Sequence, residues 1–570
     1  MIGLYGCYSK QIQIAQDFAQ FSNDHLKINE MKNMGRGFAG RNTLNQFLND
    51  KVFFEDEEFM IGCEGIVFNS NVLKKQSSVN SMFELIKKNF KTSVKSFPSS
   101  MHGNFSGFVY DKSSDRITLF TCQNGAKQMF YYLSKEKSIL LFANTVEAVA
   151  EMMRKNGISV KLDENGANCM LSIGYMIGDV TLIEGVGKIE PGTILSYDGN
   201  NIIEEKYFKI SSYPVIQKSE DAIIEELDNL YIQAIKAEYE KDLEYSYRHI
   251  STLSGGLDSR MNVLNAHRLG FKDFLSICFS ENNYLDETIS KKIAADMKDE
   301  YMFYSLNNGT YLRDIESSSR ANDSLVFYSG SSYMYSMISR LNLKGYGLMH
   351  TGVAGNEVLY TSLQFPYHDK PTPERLKIIF YSTKLYERAI PMLRPLCEKY
   401  ETMEQMAFYE KCVNGMYNAF MQIQQFTEFA SPSIHPLPLE YIMRIDPKLK
   451  FNAGIYVKWA LKKTPHVNDY RWEHIAGAKL SSTKAEIFAR KAGKRIATMF
   501  LGYRPSKNPW EKWMKRNNVL MTELDNYYNT NLHLIDKGIK SDAEYLYKKG
   551  TLKEKTQVLT LLSGVKHLIK

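Results

Sequence analysis

His249-Ile250-Ser251-Thr252-Leu253 runs directly into Ser254-Gly255-Gly256-Leu257-Asp258-Ser259, and this junction decides the fold. The first five residues predict a short strand. The pair of glycines predicts a tight bend, and the spacing of apolar residues predicts a helix from Met261 to Leu269. Further strands are expected at Phe274–Phe279 and Tyr301–Leu306. A helix from Leu285 to Met297 lies between them, with Asp286 and Glu287 in its first turn. Strand, bend, helix, strand, helix, strand is the pattern of a parallel α/β sheet. Ligands of such sheets sit where strands end and helix N-termini point outward. Two glycines let the backbone close on a phosphate, and Ser254 and Ser259 add hydroxyl donors. Asp258 is the wrong charge for an anion site unless a divalent cation lies between it and the phosphates. Mg²⁺ held by one or two carboxylates plus substrate phosphates resolves that contradiction. The bland alternative is a Gly-Gly turn capped by Asp and Ser. No Walker-type phosphate loop occurs elsewhere in the chain.

Upstream of this unit the patterning changes. Alternating runs at 65–69, 105–111, 116–120 and 138–143 predict strands of a largely antiparallel system, with helices at Met82–Lys91 and Thr145–Lys155. Pro191-Gly192 reads as a turn before a strand at Thr193–Tyr197. A boundary falls near residues 209–218, before a helix from Ser219 to Glu240, giving units 1–210 and 211–570. Beyond residue 370 the chain reads as mostly helical. At 570 residues, with 44 % hydrophobic and 24 % charged residues, it is an ordinary globular chain too long for one core. A net charge of +7 suits anionic small ligands and does not call for nucleic acid. No apolar run reaches 18 residues, and the N-terminus lacks the basic and apolar regions of a leader, so neither a membrane nor a secretory route is expected. Seven scattered cysteines without CxxC spacing predict reduced core thiols in the cytoplasm.

The motifs along the chain resemble those of the asparagine synthetase family. Residues 254–259 are similar to its ATP-pyrophosphatase loop. Leu348-Met349-His350-Thr351-Gly352-Val353-Ala354-Gly355-Asn356-Glu357 is similar to its second nucleotide loop, a strand ending in Ser-Gly-Glu-Gly-x-Asp-Glu. Glu428-x-x-x-Pro432, Leu439-Glu440-Tyr441-Ile442 and Pro447-Lys448-Leu449-Lys450 follow in the family's order. In the first half, the segments 102–111, 123–132 and 181–192 resemble its amidotransferase motifs, so the likeness spans residues 1–480. The resemblance implies an Ntn-hydrolase-like α+β sandwich followed by an adenine-nucleotide α hydrolase-like (ATP-pyrophosphatase) domain with a helical C-terminal part. It implies an ATP- and Mg²⁺-dependent ligase that adenylates a small-molecule carboxylate, after which ammonia or an amine attacks. Carried over, Asp258 holds Mg²⁺, with Asn356 as a weaker second metal contact, and Ser254, Gly255, Gly256 and Ser259 grip pyrophosphate. Leu253 and Phe279 border adenine or belong to the core. Thr351 and Gly352 border the ribose or α-phosphate, and Glu357 takes a base or metal-proximal role or caps a helix.

The departures from the family pattern shape the expectation. Residue 2 is Ile where glutamine-hydrolysing members carry the nucleophilic Cys, and Cys7 has no terminal amine to activate it. Glu64-Gly65 replaces an oxyanion-hole Asn-Gly, and a carboxylate there repels a developing oxyanion. An inactive glutaminase half is therefore expected. Val353 replaces an acidic residue, Asn356 an Asp, and Ala430 and His435 an Arg and an Asp. Glu473 stands near the position of a lysine that steadies adenylation, with Lys458, Arg471 and Lys479 as candidate replacements. The competing reading is a non-catalytic nucleotide-binding remnant that partners another biosynthetic protein. The oligomeric state is open, a homodimer being one option.

Overall fold

The computed structural model describes residues 2–10, 28–134, 136, 138–360, 369–377, 380–501 and 505–570. The first half contains two six-stranded antiparallel sheets. One runs, edge to edge, through Val186–Lys188, Phe130–Ser134, Ile139–Ala143, Gly3–Ser9, Gly37–Thr43 and Ile28–Met34. The other runs through Ile202–Lys206, Thr193–Tyr197, Arg116–Thr121, Gly103–Asp111, Phe59–Val67 and Val52–Glu55.

Side-chain alternation builds the layers. Tyr8 points into the core between the sheets with Phe108, Leu119, Leu140 and Phe142. Its neighbour Cys7 points the other way, towards the helix Val146–Lys155. The outer face of the second sheet is covered by the helix Met82–Thr92, through Leu85, Ile86 and Phe90. The result is a helix–sheet–sheet–helix sandwich.

The second half is built on a five-stranded, all-parallel sheet in the order Glu300–Ser305, Phe274–Ser280, Arg248–Thr252, Tyr346–His350, Phe429–Ala430. The helix Glu220–Glu244, capped by Ser219, packs against this sheet, and the remainder is mainly helical. The expected strands and helices are present with ends shifted by a few residues. The helix after the glycines begins at Leu257 instead of Met261, because extended Gly256 is its N-cap. Asp258 therefore sits in the first turn, where the helix dipole favours negative charge. The edge strand Phe429–Ala430 is too short to leave a periodic signal.

Candidate active site

The central strand Arg248–Thr252 ends at the bend, which two hydroxyls tie down. The Ser254 N–H donates to Ser259 Oγ at 3.1 Å, the two serine hydroxyls lie 3.1 Å apart, and the Gly256 N–H donates to Ser254 Oγ at 3.1 Å. A Cβ on Gly255 would sit 3.0 Å from Asp286 Oδ1 and 3.1 Å from Glu473 Cβ, so that position is crowded by the helix Leu285–Met297 and the turn carrying Glu473.

A second loop, leaving the strand Tyr346–His350, lies against the first turn of the helix Leu257–Arg268. A Cβ on Gly352 would fall 2.5 Å from the Ser259 nitrogen, and one on Gly355 would fall 2.6 Å from Asp258 Cγ. Side chains at either position would push the loops apart. Between them Ala354 adopts the left-handed region at φ 64°, where the resembled motif carries glycine.

The two loops together fix Asp258. Its Oδ1 accepts from the Tyr456 hydroxyl at 2.9 Å and its Oδ2 from the Asn356 N–H at 3.1 Å. Burial pushes the carboxyl up to about 7, with Glu357 adding to the rise. Among the described residues no basic side chain pairs with it. A half-buried carboxylate at a helix N-terminus, unpaired and held by two donors, fits a single divalent cation.

Most of the expected residues converge here: Ser254, Gly255, Gly256, Asp258, Ser259, Gly352 and Asn356. Asn356 reaches Asp258 through its backbone, not its side chain. Glu357 lies beside Asp258 but is paired with Lys411 at 3.3 Å. Thr351 is buried behind the loop and donates to the Ala430 carbonyl at 3.1 Å. Leu253 is a core residue. Phe279 is half-buried, 4.8 Å from the Tyr333 ring, with the Lys507 ammonium 4.0 Å from its own ring centre. Lys458 is not brought to the site. It lies on the exposed face of the helix Gly454–Lys463, 2.7 Å from Glu220, while Tyr456 of the same helix turns inward to Asp258. Arg471 and Lys479 are exposed as well.

Sequence reasoning missed several groups around the bend. Asp286 accepts the Gly255 N–H at 2.9 Å, and burial raises its carboxyl while Lys507 opposes the rise. The Glu473 N–H donates to the Gly255 carbonyl at 3.1 Å; its carboxylate accepts from the Tyr284 hydroxyl and faces Lys494 at 3.5 Å. Asp286 was visible as a first-turn acid. Lys494 and Lys507 are over 230 residues downstream of the bend, where no spacing rule connects them to it.

Behind the sheet, Asp242 Oδ2 lies 2.8 Å from His249 Nδ1 and 2.7 Å from His350 Nε2, while its Oδ1 accepts the Leu348 N–H at 2.8 Å. Tyr239 stacks on His350 at 3.6 Å. These are metal-type side chains, but the hydrogen bonds account for their arrangement, and they set the strand end from which Thr351 and Gly352 depart.

In the first half, Ile2 is buried beside a cavity of about 20 Å³ that Lys127, Gln128, Asn144 and Met421 also line, room for one water. Burial pushes the Cys7 thiol well up. Glu64 is buried 3.1 Å from Lys51 and accepts from the Thr43 hydroxyl at 2.7 Å. Burial raises its carboxyl, but Lys51 and Lys127 outweigh that and hold it below the usual range. Lys51 also lies 3.7 Å from Glu428, and Lys127 lies 2.9 Å from it, so two lysines and two glutamates close a buried quartet across both halves. His435 is neutral: burial and His102 lower it to about 3, it stacks on Phe68, and it accepts the Leu437 N–H as a helix cap.

Residues 49–208 match a glutamine amidotransferase domain family. The chain is 21 % identical over 281 residues to asparagine synthetase [glutamine-hydrolyzing] 1 of Bacillus subtilis (strain 168), a match covering 46 % of this chain and 41 % of that one. It thus spans about two fifths of that relative's length. Among solved structures, one described as the allosteric regulatory enzyme of purine biosynthesis is 10 % identical, with a TM-score of 0.23, covering 53 % of this chain and 74 % of that one. Glutamine phosphoribosylpyrophosphate amidotransferase from B. subtilis, complexed with ADP and GMP, is 11 % identical with a TM-score of 0.23, covering 49 % and 67 %. Residues 49–208 are thus similar to glutamine amidotransferase domains, and the chain is similar at low identity to an asparagine synthetase.

Proposed function

We propose that residues 211–570 form an ATP-dependent, amide-forming ligase working in the cytoplasm, and that residues 1–210 form a glutaminase-like unit without glutaminase activity. One observation carries the reading: Asp258 is a half-buried carboxylate without a basic partner among the described residues, placed where a helix N-terminus and two glycines favour phosphate. Mg²⁺, when bound, would offset the β- and γ-phosphate charge next to Asp258. Tyr456 and the Asn356 N–H orient that carboxylate, so its oxygens are placed before the ion arrives.

Ser254, Ser259 and the glycine bend surround pyrophosphate, with Gly352 closing the second wall. A carboxylate oxygen of the substrate attacks the α-phosphorus and pyrophosphate leaves. Ammonia or an amine then attacks the acyl carbon and AMP leaves. Lys507, rather than Lys458, supplies the cationic role, since its ammonium lies over Phe279 and influences Asp286 beside the bend. With Ile2 in place of a nucleophile and anionic Glu64 at the oxyanion position, nitrogen comes from solution or from an amine substrate.

A specific observation favours the remnant reading instead: the Gly255 N–H is taken by Asp286, and Glu357 by Lys411, so ATP must displace one or both contacts. The test is pyrophosphate release from ATP, with Mg²⁺, over a panel of amino acids, sugar acids and peptide acids with ammonium present. Release that Asp258→Asn abolishes supports the ligase. Saturable ATP binding without release across the panel selects the remnant. Glutamate formation from glutamine would overturn the inactive first half.

A further inference from the structure

The helix Lys484–Leu501 is 18 residues long and buries none of its side chains. Thr483 Oγ1 accepts the Glu486 N–H at 3.2 Å and caps its start. At about 100° per residue, Ala485, Phe488, Ala489, Ala492, Ile496, Met499 and Phe500 fall on one continuous arc. Lys484, Lys491, Lys494, Arg495 and Thr498 fall on the other.

An ordinary surface helix turns its apolar arc inward. This one does the reverse. Ile487, Lys494 and Thr498 share the inward line and are half-buried, and Lys494 faces Glu473. The apolar arc points to solvent, with Phe488 73 %, Met499 82 % and Phe500 88 % exposed. A contiguous apolar face of this kind needs a cover.

Packing and charge narrow what that cover is. The body of the protein already contacts the polar arc, so folding the apolar arc down would expel the Lys494–Glu473 contact. A second copy would bring together two helices that each carry five basic residues and one acidic residue, and like charges at that density repel. A negatively charged lipid surface satisfies both arcs: the apolar side chains enter the acyl boundary, and Lys484, Arg490, Lys491 and Arg495 lie at headgroup level. We propose that Lys484–Leu501 docks the protein onto anionic phospholipid membranes. This replaces the expectation of no membrane contact. It concerns peripheral binding, since among the described residues no helix is long and apolar enough to cross a bilayer. It does not depend on the ligase reading.

The experiment is sedimentation of the full-length protein with vesicles of phosphatidylcholine, alone or mixed with phosphatidylglycerol, at low and high salt. Binding to the anionic vesicles should exceed binding to neutral ones by about tenfold and fall with salt. The double substitution Met499→Asp/Phe500→Asp should lower vesicle binding by about tenfold or more while leaving the melting temperature unchanged, because both side chains are already in solvent. Val72→Asp, an exposed apolar site in the first half, should leave vesicle binding unchanged. Absence of binding to the anionic vesicles, or binding indifferent to the double substitution, overturns the proposal. If the double variant instead turns a dimer into a monomer by light scattering, the face belongs to a second copy and the proposal is wrong.

Discussion

Two acidic centres of this chain, buried Glu64 and half-buried Asp258, are built on opposite principles. Glu64 is closed: Lys51, Lys127 and Glu428 complete a neutral set, and its carboxyl stays below the usual range despite complete burial. Asp258 is open: two hydrogen-bond donors hold it, no cation among the described residues does, and its carboxyl rises to about 7. A closed centre gains nothing from a ligand and loses stability when cut. An open one is uncomfortable in the free protein and is relieved by whatever binds.

The sharpest break of that contrast is Lys51→Met. It leaves an uncompensated buried charge and should cost about 3–5 kcal/mol by urea unfolding, most of it recovered in Lys51→Met/Glu64→Gln. A loss no larger than that of an ordinary surface substitution would show that the quartet is not closed. Next, Asp258→Asn should lower pyrophosphate release by about 100-fold or more. The same change should raise the melting temperature of the nucleotide-free protein by about 2–4 °C, because it removes an anion held in a desolvated place. A variant that loses both activity and stability would place Asp258 among structural residues.

The third expectation concerns pH. A carboxyl lifted to about 7 is protonated below that value, and a proton blocks a cation. Mg²⁺ affinity, followed by calorimetric titration, should fall about tenfold for each pH unit below 7 and level off above it. The stability sign runs the other way. Because the folded value lies above the unfolded one, the folded chain keeps a proton the unfolded chain has given up, and the contribution of Asp258 to stability declines from about pH 4 to about pH 7. Asp258→Asn should flatten that decline. The smallest effect is at Ala354: relieving its left-handed backbone with Ala354→Gly should stabilise by about 0.5–1 kcal/mol in thermal unfolding, and Ala354→Val should cost more than that.

The bend at 254–259 was legible because glycine spacing, strand and helix occupy one continuous stretch, and local chemistry decides them. The alternating strands of the first half were legible for the same reason. The sequence marks Glu64 as an acid where the resembled motif carries Asn, but it does not mark the partners, since Lys51, Lys127 and Glu428 meet only through tertiary packing. Lys458 failed for a helical reason: two residues from Tyr456, it is turned by about 200° to the opposite face. Lys507 was invisible because it reaches Phe279 from a tract without periodicity, and the outward Phe500 reads from sequence like any core aromatic.

The quartet also bears on how the two halves depend on one another. Lys51 and Lys127 are the countercharges of Glu428, which precedes the last strand of the parallel sheet. Without Lys51 and Lys127, Glu428 would lie buried beneath the parallel sheet with its countercharges removed, so the second half leans on the first for its own stability.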